Sequence, residues 1–220
     1  MIWNYHWDPD QMNSGEPYYS SLIRISVFFV FLGITLISGA AFIINQIYDR
    51  EGDQINSKLF LIGDHISPEN AESQYKIIAG VGFFFLLMAG LKPLIYGVAL
   101  FVFWGIFYNF KPFQFKQKAV LGMLINTIAG LTIFLTGWCI VDSDNFTFSR
   151  FIFFVKYSFP YLLCFTAVSL LTTLPDMKGD RKTGSKTFPI KFGRLPTMIL
   201  ATLCVILASY LGYVWDDPVT

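Results

Sequence analysis

Six apolar runs dominate the chain, separated by short polar stretches. A helix needs about 20 mostly apolar residues to cross the hydrocarbon of a bilayer. Ile25–Ile44 is such a run and carries no charge, and Ala119–Val141 and Leu195–Trp215 are comparable. Phe151–Leu174 is interrupted by Lys156 and Pro160 but is long enough. Ile77–Leu91 and Leu94–Phe110 are shorter, and only Lys92-Pro93 separates them. They predict a helical hairpin, because Pro93 cannot continue a helix and Lys92 can reach the interface. The pattern predicts an all-α, multi-pass transmembrane bundle of about six spans, one domain over 21–217 behind a polar segment, 1–20.

Composition supports the bundle. Apolar types make up 54% and charged residues only 14%, against about 25% charged in an average soluble domain. Six apolar helices in a soluble protein would leave too little polar sequence to make a surface. The net charge of +1 gives no bias toward nucleic acid. Cys139, Cys164 and Cys204 have no paired spacing, and the only histidines are His6 and His65. A disulfide framework, a zinc ribbon and a histidine metal site are therefore not expected. No basic stretch precedes a short apolar core at the N-terminus, so no cleavable signal peptide is expected.

Charge then sets the orientation. With alternating spans, the loops Tyr48–Lys76, Lys111–Lys118 and Pro175–Arg194 lie on one side. Arg24, Lys92, Arg150 and Lys156 lie on or toward the other, which leaves twelve of the sixteen basic residues on the first side. By the positive-inside rule that side faces the cytoplasm, in a cell inner membrane.

Two acidic clusters face that same side. Asn45, Asp49 and Asp53 fall at i, i+4 and i+8 after the first run, one stripe if the helix continues. Asp176 and Asp180 repeat the i, i+4 spacing after the fifth run. At the C-terminal ends of helices the macrodipole disfavours anions by about 0.3–1 kcal/mol each. Neighbouring carboxylates add to the cost unless a cation sits between them. One cluster alone reads as ordinary interfacial solvation. Two with the same spacing, side and position favour a metal site, and oxygen ligands without Cys or His select Mg²⁺. Mg²⁺ keeps waters and substrate phosphates in its shell, so an acid-lined membrane cavity flanked by lysines suits a magnesium-bound diphosphate. Lys111, Lys116 and Lys118, preceded by Tyr108, either grip phosphate oxygens or anchor the chain at the lipid headgroups. Asn126 inside the fourth run needs a polar partner, which another helix or a substrate would supply.

The clusters carry a resemblance. NQIYDREGD, at Asn45, Gln46, Asp49 and Asp53, resembles the first acidic motif of the UbiA superfamily of intramembrane prenyltransferases. DMKGDRKTGSKTFPIKFG, through Asp176, Asp180, Gly184, Thr187, Pro189 and Gly193, resembles the second. YNFKPFQFKQK is similar to the Tyr/Lys-rich loop between them. The resemblance implies a helical fold with a central cavity, in which Mg²⁺ and the acidic motifs bind a polyprenyl diphosphate. It also implies transfer of the isoprenyl chain to an aromatic, quinone-precursor or lipid-like acceptor. Carried over, Asn45, Asp49, Asp53, Asp176 and Asp180 are the metal set, and the four aspartates are catalytic with Lys116 and Tyr108. Asn45, Lys58, Lys111 and Arg181 are the diphosphate-binding set.

The chain departs from the family pattern at three points. Thr173 stands where many members carry another acid, NSKLFLIGDHIS replaces a Lys-Pro-rich tract so that only Lys58 supplies its basic residue, and family members carry more spans. A non-catalytic, truncated homologue that keeps the motifs is the second functional expectation. A cation transporter is disfavoured, because its acids would lie at mid-membrane depth rather than at helix ends.

Overall fold

Eight α-helices follow one another in the computed structural model, which describes residues 21–58, 62–141 and 147–215. The polar segment 1–20 lies outside the described residues. Helix α1 spans Ser21–Ile55 and packs along α2, Pro68–Ala89. Helix α3, Leu91–Leu100, continues into a π-helical segment, Phe101–Phe107. A 3₁₀ turn at Phe115–Gln117 leads to α4, Ala119–Val141, which packs on α3 and on α5, Phe148–Thr172. Two short helices, α6 at Met177–Thr183 and α7 at Phe188–Phe192, precede α8, Arg194–Val214, which lies against α5. The chain forms an all-α membrane bundle.

The apolar runs map onto these helices with informative differences. Among the described residues four helical stretches are long and apolar enough to cross a membrane: Ile25–Ile55, Ala119–Ile140, Ile152–Thr172 and Arg194–Val214. The second run is only the latter part of α2, whose first turns are polar. That helix starts at Pro68 behind Ser67, whose side chain accepts from the Asn70 N–H at 3.2 Å. The hairpin break falls at Gly90, φ +135°, rather than at Lys92-Pro93. Pro93 sits in the first turn of α3, where its missing N–H has no intrahelical partner to lose.

Within a bilayer the apolar solvent matches the apolar side chains, so close packing rather than water exclusion joins helices. The α1–α2 contact shows this. Leu86 is fully buried, and a Cβ added at Gly33 would lie 2.6 Å from its Cγ and 3.0 Å from the Gly82 carbonyl oxygen. Val30, Ile37 and Ala40 of α1 continue the same core with Ala79, Leu100 and Ala129. Gly33→Ile is expected to push α1 off α2 and to cost about 1–3 kcal/mol. Thermal unfolding in detergent measures this, and a midpoint equal to wild type would refute the tight-crossing account.

Candidate functional site

Helix α1 runs unbroken to Ile55, so Asn45, Asp49 and Asp53 share one face, as their spacing predicts. Asp53 lies in the last turn and is buried at 8% exposure. The second cluster sits differently from its sequence expectation. Helix α5 stops at Thr172 and tightens into i→i+3 bonds, Thr173 N–H to Leu170 O at 3.4 Å and Leu174 N–H to Leu171 O at 3.2 Å. Pro175 then forces a break, because it disfavours helical backbone in the residue before it. Asp176 is therefore the N-cap residue of α6, with Asp180 in its first turn. There the helix dipole favours anions, so the expected dipole penalty applies to the first cluster and not to the second.

Asn56, just past the end of α1, joins the two motifs. Its Nδ2 donates to the Asp176 carbonyl oxygen at 3.3 Å, and its Oδ1 accepts from the Gly179 N–H at 2.7 Å. Gly179 is buried, and a Cβ there would lie 2.6 Å from the Gly52 carbonyl oxygen. Glycine at this position lets α6 seat directly on the end of α1. Behind α6, Thr187 donates to Asp180 Oδ2 at 2.7 Å, and the Lys186 N–H donates to the Gln117 carbonyl at 2.8 Å. That last bond ties the second motif to the loop that carries Lys116.

Two lysines stand among the carboxylates. Lys116 Nζ meets Asp49 Oδ1 at 2.6 Å, with its side chain only 8% exposed. Lys58 pairs with Asp176 and lies 3.6 Å from Asp53 Oδ1, bridging the motifs. Burial pulls the Lys116 ammonium below its ordinary pKa, against the opposing pull of Asp49. Burial also acts on Lys58, but hydrogen bonding and charge from Asp176, with Asp53, outweigh it and raise its pKa. Asp180 is pushed up to about 6, chiefly by burial, with Asp176 and Asp49 adding to it against the Thr187 hydrogen bond. The two clusters thus share one electrostatic site.

The other expected residues divide. Asn45 belongs to the site: its Nδ2 donates to Asp49 Oδ2 at 2.7 Å and to Asn109 Oδ1 at 3.1 Å. The Tyr108 hydroxyl lies deeper, 3.4 Å from Asn126 Nδ2. Asn126 also accepts from Trp104 Nε1 at 2.6 Å and donates to Ser169 Oγ at 2.9 Å, which ties the π-helical segment, α4 and α5 together. Lys111 and Arg181 are exposed, and neither is ion-paired to these carboxylates among the described residues. Asn56 and Asn109 were not singled out by the sequence pattern.

The donor set suits a hard cation. Its atoms are carboxylate and amide oxygens, and Asp176 Oδ1 is a buried atom whose charge is met by Lys58. Among the described residues no three His, Cys, Asp or Glu side chains close into a cage of their own.

Comparison with known proteins gives a consistent result. A sequence model of the UbiA prenyltransferase family matches residues 18–219. A 2-acylphloroglucinol 4-prenyltransferase of Humulus lupulus is 30% identical over 196 residues, covering 82% of this chain and 45% of that protein. A digeranylgeranylglyceryl phosphate synthase of Methanobrevibacter smithii is 27% identical, covering 84% of this chain and 65% of the relative. For a protoheme IX farnesyltransferase of Sodalis glossinidius the identity is 25%, with 83% and 63% covered. The chain therefore spans between 45% and 65% of the length of these three relatives. No solved structure matches it.

Proposed function

The chain belongs to the UbiA prenyltransferase family, and from that premise we propose that it transfers an isoprenyl chain from a polyprenyl diphosphate to an aromatic or lipid-like acceptor. The supporting observation is the single site made by the two acidic motifs, with Lys58 and Lys116 between their carboxylates. A diphosphate brings several negative charges to one end of a long apolar chain. A site for it needs concentrated positive charge next to apolar surface, and lysines at the ends of lipid-facing helices supply both. The relatives are named for acting on phloroglucinol, glyceryl phosphate and haem compounds, which leaves the acceptor class as broad as stated.

In this reading Asn45, Asp49, Asp53, Asp176 and Asp180 are the residues that would hold Mg²⁺ for the donor's diphosphate. The metal, when bound, neutralises those oxygens and makes the diphosphate a better leaving group. Lys116 and Lys58 face the same oxygens, where negative charge grows as the allylic C–O bond breaks. Because both ammoniums are already held by carboxylates, they cost little reorganisation as that charge develops. The bond's electron pair leaves with the diphosphate, and the acceptor carbon or hydroxyl attacks the allylic cation and gives up its proton. The excess of basic residues in the loops beside this site supports its facing the cytoplasm, in an inner membrane.

Geranylgeranyl diphosphate with Mg²⁺ is expected to raise the unfolding midpoint of the purified protein in detergent, and neither is expected to do so alone. A ligand at 100 times its Kd stabilises by about 2.7 kcal/mol. A folded protein that shows no shift with donors of any chain length would favour a non-catalytic homologue.

A further inference from the structure

We propose that Asn109, a residue with no assigned role, is the positioning residue that sets the Lys116 ammonium and the Asn45 amide for a phosphate ligand. The proposal rests on the diphosphate-site reading above. It starts from a saturated hydrogen-bond set on a side chain with 0% exposure. The Asn109 Nδ2 donates to the carbonyl oxygens of Trp104 at 2.9 Å and Gly105 at 3.2 Å. The Oδ1 accepts from Asn45 Nδ2 at 3.1 Å and from Lys116 Nζ at 3.1 Å. An asparagine has two amide hydrogens and two carbonyl lone pairs, and here all four are used.

This geometry leaves one amide orientation. Reversed, the Asn109 oxygen would face two carbonyl oxygens, and its NH₂ would face an ammonium. Trp104 and Gly105 lie in the π-helical segment, which returns to i→i+4 bonding at the Phe110 N–H to Ile106 O bond of 2.9 Å. Asn109 therefore bonds carbonyls of that segment with one end and points the other at the site.

The Asn109 oxygen closes a ring. Asn45 Nδ2 and Lys116 Nζ both bond Asn109 Oδ1, and they reach Asp49 Oδ2 at 2.7 Å and Asp49 Oδ1 at 2.6 Å respectively. Lys116 comes from the loop before α4, whereas Asn45 and Asp49 come from α1. Asn109 thus sets where the first motif meets the lysine loop. Without it the flexible four-carbon side chain would be held by Asp49 and the Tyr48 ring, 5.8 Å from the ammonium, and one ion pair does not fix an ammonium in direction. Both hydrogens of the Asn45 amide are also committed in the ring, which fixes the orientation of the amide.

The test uses the full chain in lipid nanodiscs and the near-isosteric variant Asn109→Leu. Acetylation of lysines by an N-hydroxysuccinimide ester is followed by mass spectrometry, with Lys111 and Lys118 as internal references. Lys116 is expected to react about tenfold faster in Asn109→Leu, as for a shift of about 1.4 kcal/mol in the held state, with the references unchanged. Binding of geranylgeranyl diphosphate with Mg²⁺ is then measured with Lys116 present and in the Lys116→Met background. Asn109→Leu is expected to weaken binding about tenfold in the first and less than about twofold in the second, because coupled residues are non-additive. Should Asn109→Leu not fold, Asn109→Ser carries the same two readouts with a smaller effect. Unchanged Lys116 reactivity, or equal binding losses in both backgrounds, overturns the proposal. Increased Lys116 reactivity in a protein that binds no donor upholds the positioning role and removes the diphosphate reading instead.

Discussion

Asp176→Asn is expected to weaken Mg²⁺-dependent binding of geranylgeranyl diphosphate at least about 100-fold while leaving the protein folded, and Asp49→Asn to abolish binding and lower stability as well. The two differ because their lysine partners differ. Lys58 is 40% exposed and keeps Asp53 at 3.6 Å, so losing the Asp176 charge leaves a solvated ammonium with a second partner. Exposed pairs contribute about 0–1 kcal/mol, and little stability goes with this one. Lys116 is only 8% exposed and its carboxylate partner is Asp49. Removing one member of a fully buried pair typically costs about 3–5 kcal/mol, because the other charge stays buried and uncompensated, and the 37% exposure of Asp49 reduces that cost here. Adding Lys116→Met to Asp49→Asn should restore most of the stability and none of the binding. Calorimetric titration with a non-ionising thiolodiphosphate analogue reads the affinities, and thermal unfolding reads the stabilities. Asp176→Asn binding within about threefold of wild type, near the spread that context alone gives an exposed ion pair, would remove Asp176 from the site.

The parts of this site that follow helical spacing were visible in the amino-acid sequence. Asn45, Asp49 and Asp53 fall at i, i+4 and i+8, and an apolar run leading into them is enough to place them on one face. The i, i+4 spacing of Asp176 and Asp180 was ambiguous. It fits the last turn of α5 or the first turn of a new helix, and Pro175 decides for the second. The pairings of Lys116 with Asp49 and of Lys58 with Asp176 join residues 67 and 118 positions apart, by the difference of their numbers. No local pattern encodes such distances. Asn56 had a faint signal, since it continues the acidic stripe at i+11 from Asn45. Asn109 had less, lying beside a tract whose tyrosine and lysines drew the chemistry to themselves. Its role depends on carbonyls near the end of a π-helical segment, and apolar periodicity does not separate a π turn from an α turn.

Gly179→Ala is the second large expectation: binding falls about tenfold to 100-fold, with every carboxylate and lysine still present. The added Cβ would lie 2.6 Å from the Gly52 carbonyl oxygen and 2.6 Å from Asn56 Nδ2. Gly52 O already accepts from the Asn56 N–H at 3.0 Å within the last turn of α1, so that backbone cannot easily yield. Helix α6 must back away instead. Doing so stretches the Gly179 N–H to Asn56 Oδ1 bond of 2.7 Å and the Asn56 Nδ2 to Asp176 O bond of 3.3 Å. Asp176 and Asp180 then move relative to Asp49 and Asp53, and a misplacement of about 1 Å in a binding constellation can cost about 100-fold. The overpacking itself should destabilise by about 1–3 kcal/mol. Gly52→Ala is the matched control, because a Cβ there meets nothing within 4 Å and alanine favours helix. Gly52→Ala should bind as wild type and Gly179→Ala should not. Equal affinities in the two variants would mean that the motifs act without being held together at this contact, and the site would then have to be assembled by the ligand and its metal.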